Sequence, residues 1–231
     1  SIDGGAAGGD IYRYDGTNWV LSASGATFGT QFLSVHGLAP DNLMAVGTNG
    51  VIVRWNGTTW TAMTSGTSRT LRSVFLEDAA VACAVGDNGT ALRWNGTNWI
   101  ALTTASTGQL NGVWGSGQRV IMVGDLGEVL RYNGTSVVRE TVPFGDDLNA
   151  VAGFPGGIVT VVGDLGGVLQ YDGTTWTLVS SNGIGDEFYS ISGLNTGGGR
   201  MYIGGSNGVY QLDAGVLTSA AANYPVAVLD V

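Results

Sequence analysis

An all-β fold of six repeated, four-stranded antiparallel sheets is what the sequence predicts, and three observations predict it. A turn signature recurs along the 231 residues as Tyr14-Asp15-Gly16-Thr17-Asn18-Trp19, Trp55-Asn56-Gly57-Thr58-Thr59-Trp60 and Trp94-Asn95-Gly96-Thr97-Asn98-Trp99. It continues as Tyr132-Asn133-Gly134-Thr135-Ser136-Val137 and Tyr171-Asp172-Gly173-Thr174-Thr175-Trp176, with a degraded sixth copy at Leu212-Asp213-Ala214-Gly215-Val216. The period is about 39 residues, the mark of a repeat architecture. Two further landmarks keep the same beat. One is an apolar-Gly pair (Val46-Gly47, Val85-Gly86, Val123-Gly124, Val162-Gly163 and Ile203-Gly204), and the other is Leu or Phe, any residue, a small residue, then Val or Ile. Finally, no segment sustains a 3.6-residue period, while short β-branched and aromatic runs lie between turn signals throughout.

Each copy then reads as four strands. Strand A carries the small residue (Ser34, Ser73, Gly112, Ala150, Ser190) and strand B ends in the apolar-Gly pair. Strand C ends in Tyr or Trp before the Asn-Gly or Asp-Gly turn, and strand D holds the following Trp. Asn-Gly and Asp-Gly predict two-residue turns with both central residues at positive φ. Four antiparallel strands in about 40 residues is the pattern of a propeller blade, which buries its faces only by stacking on its neighbours. The first copy offers strands C and D but no strand A, while Pro225-Val226-Ala227-Val228 near the C-terminus fits the strand A pattern. The expectation is one six-bladed β-propeller over residues 1–231, closed by the C-terminal strand joining the N-terminal ones, with five blades as the alternative count.

The Asp/Asn-Gly-Thr-x-Trp turn after an aromatic strand resembles the Asp-box (BNR) propellers, a group that includes sialidases and photosystem II assembly-factor-like proteins. The resemblance covers all six copies, and it implies the propeller fold. The usual Asp box separates its Asp and Gly by one residue, whereas here they are adjacent. A sialidase would need three arginines clamping a carboxylate and a tyrosine nucleophile. Arg13, Arg54, Arg93 and Arg131 instead share one repeat position before the strand C aromatic, which assigns them to the blade.

Composition excludes several chemistries. All nine basic residues are arginine against 18 acidic ones, so the net charge of −9 argues against a nucleic-acid surface. Without lysine there is no P-loop phosphate binding and no Schiff base. One Cys and one His leave no zinc cluster and no disulfide framework. No apolar run approaches the length of a membrane span. The chain opens on Ser1, as a processed or excised form would.

Two groups of candidate site residues remain. His36, Phe75 and Trp114 hold one equivalent position on strand A, followed round the repeats by Ala152, Ser192 and Leu229. Such an arc offers faces for a sugar or a peptide side chain, or else packing between blades. Arg72 and Tyr189, which share the strand A position before the small residue, complete this ligand-binding set. The acidic group is Asp87, Asp125 and Asp164 in three successive B–C turns, with Asp146-Asp147 and Asp186-Glu187 in the D–A loops. These carboxylates are the candidate metal ligands, with Ca²⁺ as the one ion in view, or else each caps its own turn. Cys83 reads as a small buried hydrophobe.

No catalytic residue is assigned. The expected function is a non-catalytic, secreted or cell-surface propeller acting as a macromolecular recognition or assembly module, with the periplasm as a further location. Its partner is a protein or glycan at a cell surface, without nucleic acid or membrane insertion, and it would suit a larger extracellular assembly. A lectin using the repeated Trp19, Trp60, Trp99 and Trp176 is the alternative, and a glycosidase-like enzyme using Asp186 and Glu187 is the third.

Overall fold

The computed structural model describes residues 9–78, 80–117, 119–180, 185–194 and 200–221. Blade 1 contributes β1 (Ile11–Tyr14) and β2 (Trp19–Ala23). Blade 2 holds β3 (Phe32–Ala39), β4 (Asn42–Gly47), β5 (Ile52–Trp55) and β6 (Trp60–Met63). Blade 3 holds β7 (Leu71–Leu76), β8 (Ala82–Gly86), β9 (Ala91–Trp94) and β10 (Trp99–Ala101). Blade 4 runs through β11 (Leu110–Ser116), β12 (Arg119–Gly124), β13 (Val129–Tyr132) and β14 (Val137–Glu140). Blade 5 runs through β15 (Leu148–Gly153), β16 (Val159–Gly163), β17 (Val168–Tyr171) and β18 (Trp176–Ser180). Blade 6 has β19 (Phe188–Leu194), β20 (Arg200–Gly205), β21 (Gly208–Asp213) and β22 (Val216–Ala221). Each four-stranded sheet runs in sequence order, A to D, as the repeat predicts. The proposed closing strand at 225–228 lies outside the described residues.

The chain forms two compact units, one ending at Leu110 and one starting at Asn111. Burial falls across each blade. Strand B is buried on both faces throughout β8 and β16, which explains its near-continuous apolar sequence. Strand D is the outer edge and has no buried residue in β6 or β14. In the first unit one core cluster joins Met44 and Ile52 of blade 2 to Leu71, Ala84 and Trp94 of blade 3. In the second, Val162 and Val168 of blade 5 pack with Phe188, Ile203 and Leu212 of blade 6.

The apolar-Gly landmark has a steric cause. The D–A segment crosses the end of strand B so closely that a Cβ on Gly86 would sit 1.9 Å from the Thr70 carbonyl oxygen, and one on Gly163 would sit 2.1 Å from that of Asp147. The next residue donates its N–H to the same carbonyl, at 3.0 Å for Asp87 and Thr70 and 2.9 Å for Asp164 and Asp147. In blade 6 the register pairs Phe188 with Gly205, and Ser206 donates to Glu187 at 2.9 Å. The landmark there is therefore Gly204-Gly205, one residue beyond the Ile203-Gly204 that the sequence suggested. Ser206 takes the turn position that Asp87 holds in blade 3.

The C–D turns also differ from expectation. Tyr14 pairs with Trp19 and Tyr171 with Trp176, so four residues make the turn rather than two. Only the glycine takes a positive φ, between 93° and 104° in the five complete copies. The preceding Asp or Asn instead folds its side chain back as an Asx cap. Asp172 Oδ1 accepts the N–H groups of Thr174 and Thr175, both at 2.8 Å, and Asn95 Oδ1 does the same for Thr97 and Asn98 at 3.0 and 2.8 Å. One side-chain oxygen, which Asp and Asn both carry, accepts both N–H groups. That is why Asp and Asn interchange here.

Candidate functional site

The B–C turns of blades 2 to 5 are tight loops in which two successive residues are left-handed. Asn49 and Asn88 take φ of 60° and 56°, and Leu126 and Leu165 take 55° and 53°, each before a left-handed glycine. Asparagine tolerates this region because its side chain bonds locally, whereas leucine bears a cost on the order of 1 kcal/mol.

Asp87, Asp125, Asp147, Asp164, Asp186 and Glu187 each have a partner. Asp87 is ion-paired with Arg72 Nε at 2.6 Å. Asn111 Nδ2 donates to Asp125 at 3.0 Å and to the Leu148 carbonyl of the next blade at 3.1 Å. Asn149 does the same with Asp164 at 2.8 Å and the Phe188 carbonyl at 2.9 Å. Asp147 Oδ1 accepts the Leu126 N–H at 2.8 Å, so it caps the turn of the preceding blade. Asp186 is fully buried; its Oδ1 accepts the Ser206 hydroxyl and, at 2.9 Å, the Asn207 N–H. Its Oδ2 makes no hydrogen bond, and the neighbouring Tyr210 phenol is pushed up to about 12 by burial and by that carboxylate. Glu187 accepts the Tyr189 hydroxyl, which raises the Tyr189 pKa. Among the described residues, no three His, Cys, Asp or Glu side chains gather as a metal cage.

The aromatic candidates divide between the units. His36 and Phe75 lie with ring centroids 4.6 Å apart, and His36 Nδ1 accepts the Leu76 N–H of the next blade at 3.1 Å. Burial lowers the His36 pKa, keeping the imidazole in the neutral form that this bond needs. Trp114, in the second unit, packs its ring over Gly153, where a Cβ would come 2.9 Å from its Cζ2. Ala152 is half-buried and Ser192 exposed, while Leu229 lies outside the described residues. The repeated tryptophans face the strand C aromatic of their own blade, with centroids 5.6 Å apart for Tyr14–Trp19 and 4.9 Å for Tyr171–Trp176. Trp19 is 60% exposed, but Trp99 is buried at 9%. Burial pushes the Cys83 thiol up to about 12.

The A–B and C–D turns of the second unit surround a cleft that sequence reasoning did not find. Its main chamber, about 420 Å³, has Trp114 and Phe154 as apolar walls and Arg119, Arg131 and Asn133 as polar ones. A second chamber of about 230 Å³ lies beyond Phe154, between Ile158, Gln170 and Met201. Phe154 stands between the chambers because its ring rests on Gly193, where a Cβ would come 2.7 Å from Cζ. Arg131 is ion-paired with Glu140 at 2.6 Å. Arg119 lies over the Tyr171 ring, 5.8 Å from its centroid, and has no acidic partner among the described residues. The missed signal was irregularity. Phe154-Pro155-Gly156-Gly157 forms an A–B turn whose sequence does not repeat.

The sequence matches no protein-family model and no curated protein. Similar solved structures exist, and they decide the architecture. YCF48 bound to a D1 peptide aligns over 92% of this chain and 75% of that one, with 16% identity and a TM-score of 0.64. The computationally designed Ika8 protein aligns over 97% and 71%, with 13% identity and a TM-score of 0.74. The extracellular domain of the hybrid two-component system BT3049 of B. thetaiotaomicron aligns over 83% and 30%, with 12% identity and a TM-score of 0.63. The chain has the β-propeller fold. At these identities the likeness concerns the fold alone. No helix among the described residues is long and apolar enough to cross a membrane.

Proposed function

We propose that this propeller is a non-catalytic recognition module, secreted or displayed at a cell surface, that holds a segment of another macromolecule in the cleft of its second unit. The observation that carries this reading is the cleft itself, with apolar walls at Trp114 and Phe154 beside Arg119. Such a site takes an apolar side chain between the rings and an anionic group at the guanidinium. Its polar walls are two arginines and an asparagine, with no carboxylate pair facing a reacting bond. A protein segment is the preferred occupant. One similar structure, YCF48, is bound to a peptide, and most of the repeated tryptophans are packed rather than offered to one sugar per blade.

The test is binding of the whole chain to arrays of short peptides and of glycans, with Arg119→Glu alongside. Retention of acidic-apolar peptides, weakened about tenfold or more by the substitution, is the expected result. Retention of glycans alone would replace it with the lectin reading, and blank arrays would remove it.

A further inference from the structure

At the B–C turns the second unit departs from the first in two ways at once. Blades 2 and 3 place Asn49 and Asn88 at the left-handed position, as local structure favours. Blades 4 and 5 place Leu126 and Leu165 there, 82% and 55% exposed. Neither leucine gains a local hydrogen bond or full burial from its position. Backbone preference opposes them and packing does not reward them, a local conflict of the kind that marks a working surface.

Charge changes at the same positions. Asp87 of blade 3 is neutralised by Arg72, but Asp125 and Asp164 are held by the uncharged carboxamides of Asn111 and Asn149. Each exposed leucine therefore follows a carboxylate that is hydrogen-bonded to a carboxamide, where blade 3 has a guanidinium. The adjoining D–A segments add Asp146, Asp147 and Glu187, with no basic residue among the described positions 141–147 and 185–187. Arg139, which reaches this end of blade 4, is bound to Glu128.

We propose that the B–C turns of blades 4 and 5 dock a segment of a partner protein whose apolar side chains cover Leu126 and Leu165 and whose Lys or Arg residues face these acids. Apolar anchors inside a charged rim are how protein interfaces combine affinity with steering. The acidic rim repels phosphates, which excludes a nucleic acid, and aliphatic side chains offer no aromatic face to a sugar. The proposal rests on the reading of the chain as a recognition module. It does not rest on the cleft, which the A–B and C–D turns form at the opposite end of the same blades.

The test uses the whole chain on immobilised short peptides of three kinds: leucine with lysine, leucine with glutamate, and lysine without leucine. A Leu126→Asn/Leu165→Asn variant is compared with wild type and with Arg119→Glu. Asparagine already serves this turn in blades 2 and 3, so the double variant folds with an unchanged or raised Tm. Wild type retains the leucine-lysine peptides, increasingly weakly as salt rises. The double variant loses about tenfold or more in affinity, and Arg119→Glu loses none. Equal binding of leucine-lysine peptides by wild type and double variant, or no retention of those peptides, would each overturn the proposal. Loss of acidic-peptide binding with Arg119→Glu, with no leucine-lysine binding to lose, would leave the cleft reading standing while this one fell.

Discussion

The two kinds of turn at opposite ends of each blade have been treated differently by the repeat. The C–D turns are nearly uniform, since every complete copy uses an Asp or Asn oxygen to cap two N–H groups before the strand resumes. Four B–C turns share one backbone path but vary in side chain, from Thr48-Asn49 and Asp87-Asn88 to Asp125-Leu126 and Asp164-Leu165, while Ser206-Asn207 of blade 6 makes a two-residue turn between Gly205 and Gly208. Uniformity marks what the scaffold needs in order to fold. Variation on a fixed backbone marks positions that are available for something else.

Substitutions break or sharpen that contrast, beginning with the largest expected effect. Asn149→Ala strips the partners from both Asp164 and the Phe188 carbonyl and should cost about 1–2 kcal/mol in urea unfolding. Arg72→Ala, which breaks a half-exposed ion pair, should cost less than about 1 kcal/mol by the same measurement. If the two costs were equal, the carboxamide link between blades would lose its special standing. Asn88→Leu imports the second unit's residue into blade 3 and should destabilise by about 1 kcal/mol, because leucine tolerates a left-handed φ less well than asparagine.

The smallest effect belongs to the uniform turns. Asp172→Asn should leave stability unchanged at pH 7, since Asn56, Asn95 and Asn133 fill the same place. The Thr174 hydroxyl and the turn N–H groups hold the Asp172 carboxyl at about 2, below its ordinary 3.8. Its contribution is therefore complete above pH 3.8 and lost as pH falls towards 2. Acid titration of thermal stability should show a shallower decline in the variant across that window.

Sequence made the blades legible because a 39-residue period carries its own redundancy, with each strand announced several times over. The turns were less legible. Asn-Gly suggested a two-residue hairpin, and the side-chain cap that replaces it depends on the Thr-x pair that follows, which periodicity alone does not interpret. In blade 6 the run Ile203-Gly204-Gly205 offered two glycines for one role, and only strand register chose between them. Leu126 and Leu165 passed as ordinary apolar residues. The signal was available in the asparagines at the matching positions, but its meaning depends on a φ that sequence does not display. The cleft was hidden because Trp114 belongs to a repeated position while Phe154 does not.

The side chain of Asn149 reaches both its own turn and the backbone of the blade that follows. A blade that melts therefore leaves an unmet acceptor in its neighbour, so adjacent blades of the second unit are coupled in cooperative unfolding. The same link constrains growth by duplication. A copied blade inserts without penalty only if its Asn and Asp travel together and the next strand A presents its carbonyl at the same height.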